Sequence, residues 1–138
     1  EWKRVRAEED ARIKRVDQGL ITGSDRDAAA IEASERNLAH LPGSVRVDLI
    51  ARPFQSIEAF EGVIVTNPPY GVRIGRRDEA AKLLKEFGDT LKQKCRGSEA
   101  YIYVGDKELV KSIGLKTSWK KPLRNGALDG RLMKLELY

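Results

Sequence analysis

At 138 residues, 41% apolar and 34% charged, the chain is one soluble globular domain's worth, and no apolar run approaches the roughly 20 residues that span a bilayer. No signal-peptide pattern opens it, and a single cysteine allows neither an internal disulfide nor a cysteine-based zinc site, so a reducing cytoplasm is the expected compartment. Lys and Arg number 26 against 21 Asp and Glu; the net charge of +5 favours a polyanionic partner.

Residues 1 to 18 read as a basic amphipathic helix, with Trp2, Val5, Ile13 and Val16 at helical spacing. Gly19 ends it, and Leu20-Ile21-Thr22 is a short strand. Asp25 or Asp27 caps a second helix carrying Ala28, Ile31 and Leu38 and closed by Pro42-Gly43. His40 falls at its end, where a surface or C-capping role is expected. A strand over 45 to 50 puts Val45, Val47 and Leu49 on one face, and another covers 62 to 66. A long helix from about Asp78 to Lys94 lines up Leu84, Phe87 and Leu91, with Cys95 ending that stripe as a packing residue. Tyr101 to Val104 is a strand, Asp106 caps a short helix through about Ile113, and 115 to 121 with 131 to 138 form a hairpin around Asn125-Gly126. Such alternation predicts a doubly wound α/β sheet with one antiparallel terminal strand. There is no internal repeat and no low-complexity linker.

The most informative stretch is Val63-Ile64-Val65-Thr66-Asn67-Pro68-Pro69-Tyr70-Gly71. A buried aliphatic run passes directly into a stiff polar turn tipped by an aromatic ring. Each proline fixes φ and lacks an N–H, and Pro69 restricts Pro68 to extended geometry. The carbonyls of Asn67 and Pro68 are therefore withheld from a regular helix. They are presented at the carboxyl end of a strand, where open α/β sheets bind ligands.

Asn67-Pro68-Pro69-Tyr70-Gly71 resembles the catalytic loop of S-adenosylmethionine-dependent methyltransferases that modify exocyclic amines. With Arg73-Ile74-Gly75 following, it resembles the branch that makes N2-methylguanine in RNA, whose members often carry a THUMP domain. Pro122 to Leu128 with Arg131-Leu132 is similar to the last hairpin of bacterial 23S rRNA guanine-N2 methyltransferases. Gly23 to Asp27, with Ala30-Ile31 and Arg36-Asn37, is a third matching block in the right order. The resemblance implies a Rossmann-like class I methyltransferase sheet, mostly parallel with an antiparallel last strand. It also implies S-adenosyl-L-methionine as cofactor and RNA, most of all rRNA, as partner.

A guanine amino group is a poor nucleophile because its lone pair is delocalised into the ring. In the implied mechanism the Asn67 side-chain oxygen and the Pro68 carbonyl hold its two hydrogens and draw the nitrogen toward tetrahedral geometry. The lone pair then faces the sulfonium methyl, so the protein's task is positioning and electrostatics. Pro69 stiffens this turn, and Tyr70 stacks on a base that has left its helix or was never paired. The methylated nitrogen is acidic enough to lose its proton to water, so His40 is not recruited. Gly71, Arg73 and Arg76 would meet the substrate, the arginines at its phosphates; for Arg76 and Arg77 the alternative is a solvated charge at the start of the next helix.

By the same resemblance Asp25 binds the cofactor ribose, with Ser24 beside it and Asn67 completing the pocket. Helix N-cap is the alternative role for Asp25, and Asp27 could share it. The acid expected after the next strand, for the adenine amino group, is replaced by Ala51; Phe54 is the candidate to pack on the ring. Gly130 stands where relatives often have cysteine. No metal is expected.

The glycine-rich cofactor loop of this family is missing, and so is the strand before it, since only one helix precedes the first visible strand. Residues 1 to 138 are therefore expected to be a partial catalytic domain. The absent strand belongs between those at 19 to 23 and 62 to 66, to be supplied by an N-terminal part of the same protein. Two other readings stay open. One is an amino methyltransferase on another target: adenine N6 in DNA or RNA, a tRNA guanine, or a protein glutamine. The other is a catalytically retired nucleic-acid-binding module.

Overall fold

A computed structural model describes residues 1–14, 16–41, 47–69 and 77–138. The chain divides into two compact units, Glu1–Ser56 and Ile57–Tyr138.

In the first unit, α1 spans Trp2–Asp10, β1 Thr22–Asp25, α2 Ala28–Leu38 and β2 Asp48–Ala51, followed by a 3-10 turn at Phe54–Ser56. Helix α1 is shorter than the periodicity of Trp2, Val5, Ile13 and Val16 predicts. Its last turn holds Glu8, Glu9 and Asp10, which oppose the helix dipole, and Arg4–Glu8 and Arg6–Asp10 run in the weaker Arg-before-acid order. Strand β1 lies two residues beyond the expected Leu20-Ile21-Thr22, because its parallel register runs from Thr22 opposite Asp48 to Asp25 opposite Ala51. Leu20 and Ile21 stay exposed. Strand β2 starts at Asp48; Val45 of the expected strand lies outside the described residues. Asp27, not Asp25, is the N-cap of α2, its Oδ1 accepting from Ala29 N at 2.9 Å. His40 is exposed and donates from Nδ1 to the Arg36 carbonyl at 2.6 Å, which ties down one of the carbonyls left over at the helix end.

In the second unit, β3 (Val63–Thr66), α3 (Arg77–Lys94), β4 (Glu99–Val104), a 3-10 helix (Lys107–Ile113), β5 (Trp119–Asn125) and β6 (Leu128–Glu136) build a sheet of order β3-β4-β6-β5. β3 and β4 are parallel, and β6 runs antiparallel to both β4 and β5. The expected mixed sheet with an antiparallel last strand is thus present. Ala100, Ile102 and Val104 alternate onto one face, level with Leu135 and Met133 of β6, and are fully buried with Leu84, Leu91 and Cys95. The stripe Leu84, Phe87, Leu91 is the buried side of α3, as its spacing predicts. Burial holds the Cys95 thiol above its ordinary pKa, with Lys94 pulling the other way.

Two details fix how closely these layers approach. A Cβ on Gly88 of α3 would sit 1.9 Å from the Ile113 carbonyl oxygen, so only glycine lets the helix pack on the end of the 3-10 segment. Buried Ser98 donates from Oγ to the Phe60 carbonyl and accepts from Gly62 N, both at 3.1 Å, while its own carbonyl accepts from Leu137 N. One residue, through its hydroxyl and its carbonyl, thereby ties the entry of β3 to the start of β4 and the chain just after β6. The hairpin closes through Gly126 and Ala127 with positive φ only at Gly126, the pattern of a type II′ turn.

Candidate active site

The candidate residues fall on the carboxyl ends of parallel strands, in each unit separately. In the first unit, Ser24 and Asp25 end β1 and Ala51 ends β2 opposite Asp25. Asp25 Oδ1 accepts from Asp27 N at 2.9 Å, and the Asp25 carbonyl accepts from Arg52 N at 2.8 Å. With Asp27 capping α2, the Asp25 carboxylate is exposed, held by its own turn and spared from the helix. A Cβ on Gly23 would approach Leu49 Cδ2 to 2.8 Å, so the strands lie close just behind this edge. Phe54 begins the 3-10 turn beyond β2 and is half-buried.

In the second unit, Asn67 and Pro68 leave β3 immediately after Thr66, which stands opposite Ile102 of β4. Asn67 is exposed and Pro68 half-buried, and neither joins a helix or strand. No hydrogen bond within the described residues engages the Asn67 side chain. Tyr70, Gly71, Arg73 and Arg76 lie outside the described residues.

The far end of this loop shows a feature that motif reading missed. Arg77, the first residue of α3, pairs with Asp106 at 3.2 Å. Asp106 follows β4 and caps the 3-10 helix by accepting from Glu108 N at 2.9 Å. The start of α3 is therefore tied by an ion pair to the end of β4, the strand beside β3. Arg77 thus has the structural partner that its helix-start position allowed. The cap at Asp106 was readable in the sequence; its partnership with Arg77 was not, because 28 positions separate them and no local pattern links them.

At the hairpin, Asp129 receives Arg131 at 2.7 Å and Lys107 at 2.9 Å, which hold its carboxyl down at about 2. Lys134 lies between Glu99 at 2.7 Å and Glu136 at 3.1 Å and over the Tyr101 ring. These carboxylates raise its ammonium pKa, and hydrogen bonds from Lys134 and then Tyr101 lower that of Glu99. Gly130 is buried under Tyr103: a Cβ there would meet the phenol ring and oxygen within 2.6 Å. A cysteine at this position would need Tyr103 to move.

Parallel strands with an antiparallel last strand, and polar residues at the strand ends of each unit, are the architecture of a Rossmann-like methyltransferase fold. The solved structures agree. A possible methylase from Clostridium difficile superposes with a TM-score of 0.84 at 23% identity, over 99% of this chain and 37% of that one. A protein described as a methyltransferase, solved in complex with SAH, gives 0.76 at 26% identity, over 99% and 36%.

The family model for RMKL-like methyltransferase domains matches residues 1–134, and the chain belongs to that family. Among curated relatives, a Synechocystis protein named as an RNA methyltransferase is 40% identical over 123 residues, covering 88% of this chain and 32% of its own length. The ribosomal RNA large subunit methyltransferase K/L of Marinobacter nauticus is 34% identical over 146 residues, covering 99% and 20%. The chain thus spans between a fifth and a third of these relatives.

Proposed function

We propose that this chain is the amine-presenting part of an S-adenosylmethionine-dependent RNA methyltransferase that modifies the exocyclic N2 of guanine in large-subunit ribosomal RNA. The observation that carries the reading is the Asn67-Pro68 step at the carboxyl end of β3. Its backbone lies outside helix and strand, as two prolines dictate, and the start of α3 at Arg77 is tied to the end of β4 through Asp106. A rigid acceptor pair of this kind suits an –NH₂ group, whose two hydrogens need two oxygens. The relatives named above support an RNA substrate and, in one case, the large ribosomal subunit.

The first unit fits part of the cofactor. A carboxylate at the end of β1, released from capping by Asp27, has the chemistry to accept from both ribose hydroxyls. Ser24 stands beside it. Ala51, level with Asp25, offers no side-chain acceptor for the adenine amino group, and Phe54 is the candidate to pack on the adenine ring. When bound, S-adenosylmethionine supplies an electrophilic methyl. The chain's own part is to orient the amine, with Asn67 and Pro68 as acceptors, Tyr70 as stacking platform, and Gly71, Arg73 and Arg76 toward the RNA backbone.

The test is methyl transfer from labelled S-adenosylmethionine to unmodified rRNA and tRNA by the full-length protein, with the product nucleoside identified by mass spectrometry. N2-methylguanine in rRNA is expected; methylated adenine would overturn the guanine assignment. Asn67→Ala is expected to lower turnover at least 100-fold, the scale of losing one oriented polar group at a reacting centre, with cofactor affinity within about threefold of wild type. Unchanged turnover would remove Asn67 from the chemistry.

A further inference from the structure

The outer strand β5 and its approaches carry a charge pattern that the amine-presenting site does not use. From Leu115 to Leu128 the sequence holds Lys116, Lys120, Lys121 and Arg124 and no acidic residue. Every residue of β5 after Trp119 is exposed. Elsewhere in the second unit Arg77 pairs with Asp106, Lys85 with Asp89, Lys107 and Arg131 with Asp129, and Lys134 with Glu99 and Glu136. Lys82, Lys92, Arg96 and Lys111 join no ion pair among the described residues, but each has an acid within four positions along the chain. None of the four in the strand segment joins an ion pair among the described residues. Lys121 instead lies 5.1 Å over the Trp119 ring, which keeps its ammonium on the surface.

Register places this strand at the working end of the sheet. Pro122 and Arg131 are level with Val104, the last residue of β4, and three further pairs follow: Leu123 with Gly130, Arg124 with Asp129, Asn125 with Leu128. The hairpin therefore overhangs the carboxyl edge of β4 by about 10 Å, on the same edge at which β3 delivers Asn67 and three strand spacings, about 14 Å, to the side. Lysine and proline on an edge strand also deter strand addition. Pro122 and one neighbouring lysine are enough for that role, and it does not explain four unpaired cations in an acid-free run.

We infer that the outer edge of β5 is a phosphate-binding rail, along which Lys120 and Arg124 from one face and Lys121 from the other hold the RNA backbone while its target base enters the site beside β3. The inference rests on the RNA reading given above. Charge complementarity selects the occupant: a row of unmatched cations suits a repeating anion, and such contacts position nucleic acid without reading its sequence.

The test is RNA binding by the full-length protein across a range of salt concentrations. It compares wild type, the triple variant Lys120→Gln, Lys121→Gln, Arg124→Gln, and a charge-matched control, Lys82→Gln, Lys92→Gln, Arg96→Gln. Losing three single-strand phosphate contacts flattens the slope of log K against log salt by about 2, and weakens binding on the order of a hundredfold at 0.1 M salt. The control is expected to keep the wild-type slope. So is a charge-preserving set, Lys120→Arg, Lys121→Arg, Arg124→Lys, which also guards against misfolding. An unchanged slope in the triple variant, or an equal loss in the control, would overturn the rail and leave the RNA reading standing. A wild-type protein that binds no RNA at any salt would overturn both.

Discussion

The two units of the chain divide stability and recognition unequally. Every buried core side chain among the described residues, from Ala80 to Leu137, belongs to the second unit. The first unit offers a two-stranded parallel pair with α2 against it and, among the described residues, none that is fully buried. Yet that thin unit bears Ser24, Asp25 and Phe54, whereas the Asn67-Pro68 turn stands on the well-packed one. On the proposed reading, a cofactor edge tolerates adjustment as its ligand enters, whereas a turn that holds two acceptors on one nitrogen needs a rigid floor, since small misplacements there cost rate steeply.

The sharpest way to break this comparison is to remove equivalent apolar groups from each unit. Leu84→Ala takes away a side chain that is 1% exposed and is expected to destabilise the second unit by about 2–5 kcal/mol. Leu49→Ala, half-buried in β2, is expected to cost about 1 kcal/mol or less. Urea unfolding followed by Trp119 fluorescence in a Trp2→Phe background reads the second unit, and Trp2 fluorescence in a Trp119→Phe background reads the first. Equal losses at the two positions would show that the first unit has a core of comparable weight.

A smaller effect separates the units by what surrounds a glycine. Alanine at Gly88 gains about 1 kcal/mol of helix propensity but drives its methyl into the Ile113 carbonyl, which is backbone and cannot rotate away. A net loss of about 1–3 kcal/mol is expected. Alanine at Gly23 meets only the tip of the Leu49 side chain, which can change rotamer, and is expected to cost less. Thermal midpoints of the two variants decide the order. Gly23→Ala proving the worse would mean that the β1–β2 pair is the stiffer of the two.

How much of this was legible in the sequence follows the same division. The stripe Leu84-Phe87-Leu91, the strands at 62–66 and 101–104, the Asp106 cap and the hairpin turn at Gly126 all emerge within two residues of place, but the aliphatic run of β3 is not buried as expected, since Val63 and Val65 are exposed. In the first unit α2 and its Asp27 cap also emerge in place, but its other elements are shifted or shortened. Helix α1 stops at Asp10 for electrostatic reasons that apolar spacing does not register, and β1 slides past its most apolar residues to Thr22–Asp25. The apolar pattern there is read against a core that the described residues of that unit do not contain. The motif at Asn67 was legible because proline restricts the backbone locally. The Arg77–Asp106 pair and the contact of Tyr103 with Gly130 were not, since each depends on elements brought together only by the fold.

The smallest predicted effect concerns charge at the hairpin and bears on how firmly the second unit's edge is held. Asp129 accepts from both Arg131 and Lys107, and its carboxyl is held at about 2, below the ordinary 3.8. A depressed carboxylate contributes stability that is fully present above pH 3.8 and is lost as pH falls through about 2. The hairpin clamp should accordingly survive mild acid, and carboxyl chemical shifts should place the Asp129 midpoint near 2. Arg131→Met removes the largest cause and should move the midpoint further toward 3.8 than Lys107→Met does. Both partners are partly exposed, so added salt should raise the wild-type midpoint while overall stability barely changes. A midpoint near 3.8 in the wild type would mean that the Asp129 contacts are transient in solution, and that the tip beside Arg124 is held by its turn and ladder alone.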